Sequence, residues 1–96
     1  VQDLRESPVF PMIDLLRERE AKISYYDSYF QYFKVDGIDL KCVKFDKKTL
    51  KSFDCVVIVT DHSNVDYQFM AKNSKLIIDT RNALKSVKNR ANIILL

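Results

Sequence analysis

The chain has 96 residues, of which 47% are hydrophobic and 30% are charged. This composition is typical of one globular domain and excludes a disordered chain. The single glycine excludes the glycine-rich loops that bind phosphate in many nucleotide-binding proteins. Lys and Arg number 16 against 13 Asp and Glu, and the net charge of +3 is too weakly basic for a dedicated nucleic-acid-binding domain.

Apolar runs and cysteines narrow the class of protein further. No apolar run approaches the roughly 20 residues of a membrane-spanning helix, so no membrane partner is expected. Cys42 and Cys55 are too few and too far apart for a disulfide framework, which favours a reducing cytoplasm. The chain opens with Val1 rather than Met, and we expect residues 1–96 to be one domain of a longer protein.

The first predicted element is a helix that begins at Ser7-Pro8. Ser7 suits the N-cap and Pro8 the first helical position. Apolar residues then recur at helical spacing, at Val9, Met12, Ile13 and Leu16. The charged segment Arg17–Glu20 ends the helix, and Ile23–Tyr26 is predicted to be a strand that ends at Asp27-Ser28.

The segment from Tyr29 to Asp39 shows no clear periodicity, although Asp36-Gly37 indicates a turn. Leu40–Phe45 alternates and predicts a short edge strand, and Lys47–Phe53 predicts a short helix. Aromatic residues are dense between positions 25 and 33. They could stack on a base, cover an edge of the core, or meet another domain.

The second half of the chain alternates between strands and helices. Cys55–Val59 predicts a central parallel strand covered on both faces, and Leu76–Ile78 and Ile93–Leu96 predict two more strands. Ser63 to Asp66 resembles a capping box before a helix, and a weaker helix is predicted over Ala83–Lys88. The alternation predicts an α/β, three-layer, Rossmann-like domain with a mainly parallel sheet.

Two polar clusters follow predicted strands, Thr60–His62 and Asp79–Asn82. Ligands of such folds bind where parallel strands end. Arg81 could hold a phosphate or carboxylate there, or it could form an ion pair with Asp79 or Asp61.

The remaining candidates each have a functional and a structural reading. His62 could act as a general base, or it could only bind backbone groups of its loop. Arg5 could contact phosphate at a helix N-terminus, or Asp3–Pro8 could be a charge-balanced first turn. One histidine with scattered carboxylates is a poor ligand set, so no metal is expected. Cys42 and Cys55 are expected to be packed thiols without a nucleophilic role.

Several motifs, taken together and in order, resemble the C-terminal, UDP-binding domain of the UDP-glucose/GDP-mannose dehydrogenase family. They are Asp-Leu-Arg-Glu-Ser-Pro at 3–8, Tyr-Asp at 26–27, Val-Ile-Val-Thr-Asp-His at 57–62 and Asp-Thr-Arg-Asn-Ala-Leu at 79–84. The Thr-Asp-His and Asp-Thr-Arg-Asn forms resemble the branch that oxidises UDP-N-acetylated hexosamines.

The resemblance implies an NAD-dependent UDP-sugar 6-dehydrogenase, which oxidises the sugar C6 hydroxyl to a carboxylate in two steps through a cysteine-bound intermediate. An N-terminal domain would hold NAD, a central region would form a homodimer, and this domain would cover the UDP moiety of the UDP-sugar. Polysaccharide precursors would be the products. By this resemblance Arg81 contacts the substrate and Arg5 reaches the NAD side. Asp61 and His62 are candidates for the rim of the site because they follow a strand at the ligand edge of the sheet.

The chain departs from the family pattern at several points. The family's first strand, with a substrate-side lysine, and its catalytic cysteine are missing, so we expect this chain alone to be inactive. Glu20 stands where the family has a helix-ending glycine, and Ser28 replaces a proline.

Two other functions remain open at this point. A non-catalytic module that senses nucleotide or phosphate would have a similar sheet edge. A receiver-like signalling domain would also place carboxylates at strand ends, but the position of its lysine is occupied by Arg81.

Overall fold

A computed structural model of the chain describes residues 9–27, 32–35 and 38–96. The elements in chain order are α1 (Val9–Glu18), β1 (Tyr32–Val35), β2 (Ile38–Lys41), α2 (Lys47–Ser52), β3 (Val56–Ile58), α3 (Tyr67–Asn73), β4 (Ile77–Asp79) and β5 (Ile93–Leu95). Contacts divide the chain into two compact units, Val1–Val43 and Lys44–Leu96. That residues 1–96 act as one domain stays a prediction.

Helix α1 forms where its apolar stripe predicts it. Ile13 is buried, and Met12 and Leu16 are half-buried, whereas Leu15 lies off the stripe and is 53% exposed. The predicted cap at Ser7-Pro8 lies outside the described residues.

The end of α1 is closed by a residue in the left-handed conformation, Glu20, with φ at 65°. The N–H of Glu20 donates to the carbonyl of Arg17 (2.9 Å), and the N–H of Ala21 donates to the carbonyl of Leu16 (3.0 Å). These two bonds form a Schellman motif, in which glycine is the preferred residue because it has no Cβ. Glu20 therefore adopts the conformation that suits the family's glycine.

The segment without clear periodicity contains an antiparallel pair of strands. β1 pairs with β2 in the register Tyr32 to Lys41 and Val35 to Ile38. The predicted edge strand at Leu40–Phe45 was placed too late, since β2 ends at Lys41. The predicted turn at Asp36-Gly37 lies outside the described residues.

The strand predicted at Ile23–Tyr26 is reduced to a single parallel bridge between Tyr25 and Cys42. The N–H of Val43 donates to the carbonyl of Tyr25 over 2.9 Å, and residues 21–24 are irregular. The apolar pattern there is too short to specify more than one pairing.

The second unit contains a parallel sheet in the order β3-β4-β5. Among the described strands β4 is therefore the central one, and the prediction of a central Cys55–Val59 is corrected. Burial agrees with this order, because Ile77 of β4 is 0% exposed whereas Val56 and Val57 of β3 are half-buried. The α/β, Rossmann-like class with a parallel sheet is confirmed.

Both helices of this unit begin with an aspartate cap. The carboxylate of Asp46 accepts the N–H of Thr49 (2.8 Å) at α2, and that of Asp66 accepts the N–H of Phe69 (3.0 Å) at α3. The cap of α3 is thus Asp66 rather than the predicted Ser63, because the chain turns through residues 63–65 before the helix begins. The helices and the sheet enclose one core cluster, made of Leu50, Ile58, Met70, Ala71, Ile77, Ala83, Leu84 and Val87.

The helix predicted over Ala83–Lys88 does not form, and this segment consists of turns. The N–H of Val87 donates to the carbonyl of Leu84 over 2.9 Å, a bond that spans three residues. Arg90 donates from Nη1 to that same carbonyl at 2.8 Å. The segment buries Leu84 and Val87 without helical hydrogen bonding. The spacing of its apolar residues therefore reflects their burial in the core and does not indicate a helix.

We predict that Glu20→Gly raises the free energy of unfolding of the intact protein by about 0.5–1 kcal/mol. Relief of the left-handed strain on a residue with a Cβ outweighs the extra chain entropy of glycine. Denaturant unfolding measures the change. The control Glu18→Gly, inside the helix, should lower stability by about 1 kcal/mol. Unfolding of Glu20→Gly at a lower denaturant concentration than the wild type would contradict the prediction.

Candidate functional site at the carboxyl ends of the strands

The two polar clusters lie at the same edge of the sheet. Ile58 of β3 is in register with Asp79 of β4, so both strands end together. Thr80 joins these ends, since its backbone N–H and its Oγ1 both donate to the carbonyl of Ile58, at 3.2 and 2.7 Å. The polar segments that contain Thr60 and Thr80 therefore leave the sheet at the same edge, where Thr80 holds the two strand ends together.

Asp79 is the buried anchor of this edge, with an exposed fraction of 0%. Its Oδ1 accepts the backbone N–H groups of Arg81 (3.0 Å) and Ala83 (3.1 Å). Its Oδ2 accepts the N–H of Leu84 at 2.9 Å. A carboxylate that is removed from water is stable only when such partners compensate for the lost hydration.

The balance of these effects sets the charge of Asp79. Desolvation raises the pKa of this carboxyl, but the backbone N–H groups of Leu84, Arg81, Ala83 and Asn82 lower it further. The net pKa of Asp79 lies below its ordinary value, so the group is ionised at neutral pH.

The loop after β4 turns back around this carboxylate. Asn82 has a φ of 56°, in the left-handed region, where asparagine is among the residues best tolerated. The turn brings the N–H groups of Ala83 and Leu84 to Asp79 while residues 80–82 remain exposed.

Arg81 is presented at the tip of this loop. Its backbone N–H is held by Asp79, and its side chain is exposed. Within the part of the chain that the structure describes, its guanidinium forms no ion pair with a carboxylate. The acid and the base of the Asp-x-Arg sequence therefore do not neutralise each other, and the ion-pair alternative with Asp79 or Asp61 is not found.

Asp61 and His62 follow β3 at the same edge. Asp61 is exposed and His62 is half-buried. The backbone N–H of His62 donates to the hydroxyl of Tyr67 at 2.9 Å, and the carbonyl of His62 accepts the N–H of Val65 at 3.3 Å. These bonds involve only the backbone of His62, so both readings of its imidazole stay predictions.

The other predicted candidates are the two cysteines and residues outside the described part of the chain. Arg5 belongs to the latter, as do Tyr29 and Phe30 of the aromatic stretch. Cys42 and Cys55 are half-buried free thiols, and burial raises the pKa of Cys55. Among the described residues no three His, Cys, Asp or Glu side chains gather as metal ligands. No helix there has the length and apolar character to cross a membrane.

Residues 1–86 match the family described as the UDP-glucose/GDP-mannose dehydrogenase family, UDP binding domain. The chain belongs to this family. The UDP-N-acetyl-D-mannosamine dehydrogenases of Methanococcus vannielii and Methanococcus maripaludis are 33% and 30% identical to it, over 92 and 93 residues. Each alignment covers 88% of this chain and 20% of the relative. The chain therefore spans about a fifth of the length of these curated relatives. No solved structure matches it.

These matches confirm the resemblance to the family, and the names of the relatives agree with the branch that the motifs indicate. They favour a dehydrogenase domain over the sensing module and the receiver-like domain. Two roles at this edge were not predicted from the sequence. Thr80 joins the ends of two strands, and the hydroxyl of Tyr67 accepts the N–H of His62. No local pattern signals Tyr67, but the hydroxyl of Thr80 beside a strand end could have been noticed.

We predict that Asp79→Asn lowers the free energy of unfolding at pH 7 by about 2–3 kcal/mol, because the amide replaces a charged acceptor of several N–H groups. Since the folded pKa of Asp79 is below that of the unfolded chain, this contribution is complete above about pH 5. It is lost as the pH falls through the folded pKa, so the difference between variant and wild type narrows in acid. Denaturant unfolding of the intact protein at pH 7 and pH 3 measures both values.

Asp66→Asn is the matched control for Asp79→Asn, because asparagine caps a helix about as well as aspartate. Asp66→Asn should change the free energy of unfolding by no more than about 0.5 kcal/mol. A cost for Asp79→Asn that is equally small at pH 7 would refute the anchoring role of Asp79.

Proposed function

We propose that this chain binds the UDP moiety of a UDP-sugar, as the C-terminal domain of an NAD-dependent UDP-sugar 6-dehydrogenase. Two findings support this: the family match, and relatives named UDP-N-acetyl-D-mannosamine dehydrogenases. By the same argument the substrate is a UDP-N-acetylated hexosamine, and its C6 hydroxyl is oxidised to a carboxylate. The product would serve the synthesis of polysaccharide precursors.

The observation that carries the proposal is the guanidinium of Arg81, which is exposed where β4 ends and has no ion-pair partner among the residues that the structure describes. A diphosphate needs cationic donors, and a guanidinium can donate two parallel hydrogen bonds to one phosphate group. The backbone N–H of Arg81 is held by the buried Asp79, so the point from which the side chain extends is fixed before the ligand arrives. Such preorganisation reduces the ordering cost of binding.

Asp61 and His62 form the neighbouring part of the proposed rim. A carboxylate repels a diphosphate. Asp61 would therefore accept a hydrogen bond from a hydroxyl group of the ribose or of the sugar. His62, half-buried beside it, would close the edge of the site.

In this proposal NAD binds to a different part of the protein. A chain with a single glycine has no loop of the GxGxxG kind, and its residues do not fit a complete NAD site. Arg5 would reach the NAD side of the cleft. NAD would then be held by an N-terminal domain, and this chain alone would be inactive. NAD reduction by residues 1–96 alone would contradict that part of the proposal.

We further propose a cytoplasmic homodimer that needs neither nucleic acid nor membrane as a partner. The two cysteines described as free thiols are consistent with a reducing compartment.

We predict that Arg81→Ala in the intact protein weakens UDP binding by about 10- to 100-fold. A charged hydrogen bond contributes roughly 1.5–3 kcal/mol, and each 1.4 kcal/mol changes Kd about tenfold. The dissociation constant of Arg81→Lys should lie between those of the wild type and Arg81→Ala, because an ammonium keeps the charge but loses the bidentate geometry. Isothermal titration calorimetry with UDP measures the three dissociation constants.

Lys85→Ala is the control for the loss of one positive charge. Lys85 is exposed on the same loop segment, four residues beyond Arg81. Its replacement should change the dissociation constant by no more than about twofold, as expected for screened surface charges. An equal effect of Lys85→Ala and Arg81→Ala would show that only the net charge matters, and would refute a specific contact with Arg81.

A further inference from the structure

Tyr67, the first residue of α3, contacts the proposed rim through its hydroxyl. The Oη of Tyr67 accepts the backbone N–H of His62 at 2.9 Å. This bond spans five residues and closes the turn between β3 and α3. The segment Asp61–His62 is thereby attached to the start of a helix.

Groups from both polar clusters affect the pKa of this hydroxyl. Burial raises the pKa of Tyr67, the N–H of His62 lowers it, and the carboxylates of Asp61 and Asp79 raise it again. A phenol that remains protonated can donate its hydrogen to a carboxylate while it accepts the N–H of His62. Of the two carboxylates, Asp61 raises the pKa of Tyr67 more than Asp79 does.

The ring of Tyr67 gives this hydroxyl a rigid support. Tyr67 is half-buried and packs against the core cluster. Asp66, which caps α3, precedes it directly and holds the first turn through the N–H of Phe69. A side chain held at both its ring and its backbone can transmit a fixed position to the loop it touches.

We propose that Tyr67 is a positioning residue for the nucleotide site, whose hydroxyl holds the Asp61–His62 segment in place opposite Arg81. The inference rests on the proposed function, since it assumes that UDP binds at this edge. It assigns Tyr67 no contact with UDP. The effect on binding passes through the loop that it orders.

Tyr67→Phe tests this, because it removes the hydroxyl and keeps the ring in the core. In the intact protein we expect the dissociation constant of UDP to rise roughly 3- to 10-fold, the effect of losing one ordering hydrogen bond. Calorimetry should still find the full number of binding sites. A purely structural role would instead reduce the number of competent sites and leave the dissociation constant of the rest unchanged, which would overturn the proposal.

Two comparisons sharpen the experiment. Gln68→Ala removes a neighbouring side chain of α3 whose Nε2 donates to the carbonyl of Ser86 at 3.3 Å, away from His62. It should leave the dissociation constant within about twofold of the wild type. Tyr67→Phe combined with Asp61→Asn should weaken binding less than the sum of the single effects, since both act through one segment. Additive effects would count against the proposal.

The outcomes separate the two claims. If the wild-type protein does not bind UDP, the proposed function fails and the inference falls with it. If the wild type binds UDP and Arg81→Ala weakens binding while Tyr67→Phe does not, only the role of Tyr67 is refuted.

Discussion

The second unit depends on one buried carboxylate that is held by peptide N–H groups. Asp79 is completely enclosed, and its oxygens accept hydrogen bonds from Arg81, Ala83 and Leu84. Without this anion those donors would be buried without partners, which is costly for a folded chain. The course of the loop after β4, and with it the exposure of Arg81, follows from satisfying that charge.

The elements of the second unit were largely predictable from local signals. The apolar runs around Val57 and Ile77 and at the end of the chain predicted three parallel strands, and all three form. α2 was predictable because Asp46 precedes a short segment with one buried apolar position, Leu50. Each of these signals lies within a few neighbouring residues, so it survives in the sequence without knowledge of tertiary contacts.

The failures arise where the structure is decided by side-chain contacts across a turn, or by the assembly of the sheet, rather than by a local pattern. Leu84 and Val87 have an apolar spacing that resembles a helix, but the carboxylate of Asp79 and the guanidinium of Arg90 bind the backbone of this segment instead. The strand order, which places β4 rather than β3 at the centre, is likewise a property of the assembled sheet. At the candidate site, the position of Arg81 was predictable from its place after a strand. The partner of His62 was not, because the side chain of Tyr67 is brought to it by a turn.

The bonding of Asp79 also makes the two charges of the Asp-x-Arg sequence non-interchangeable. In an ordinary salt bridge, exchanging acid and base between the two positions preserves the attraction. Here an exchange would direct a guanidinium, which is only a donor, at peptide groups that are themselves donors, and would turn a carboxylate outward. The order of acid and base in this tripeptide therefore follows from the direction in which the main-chain N–H groups of the loop point.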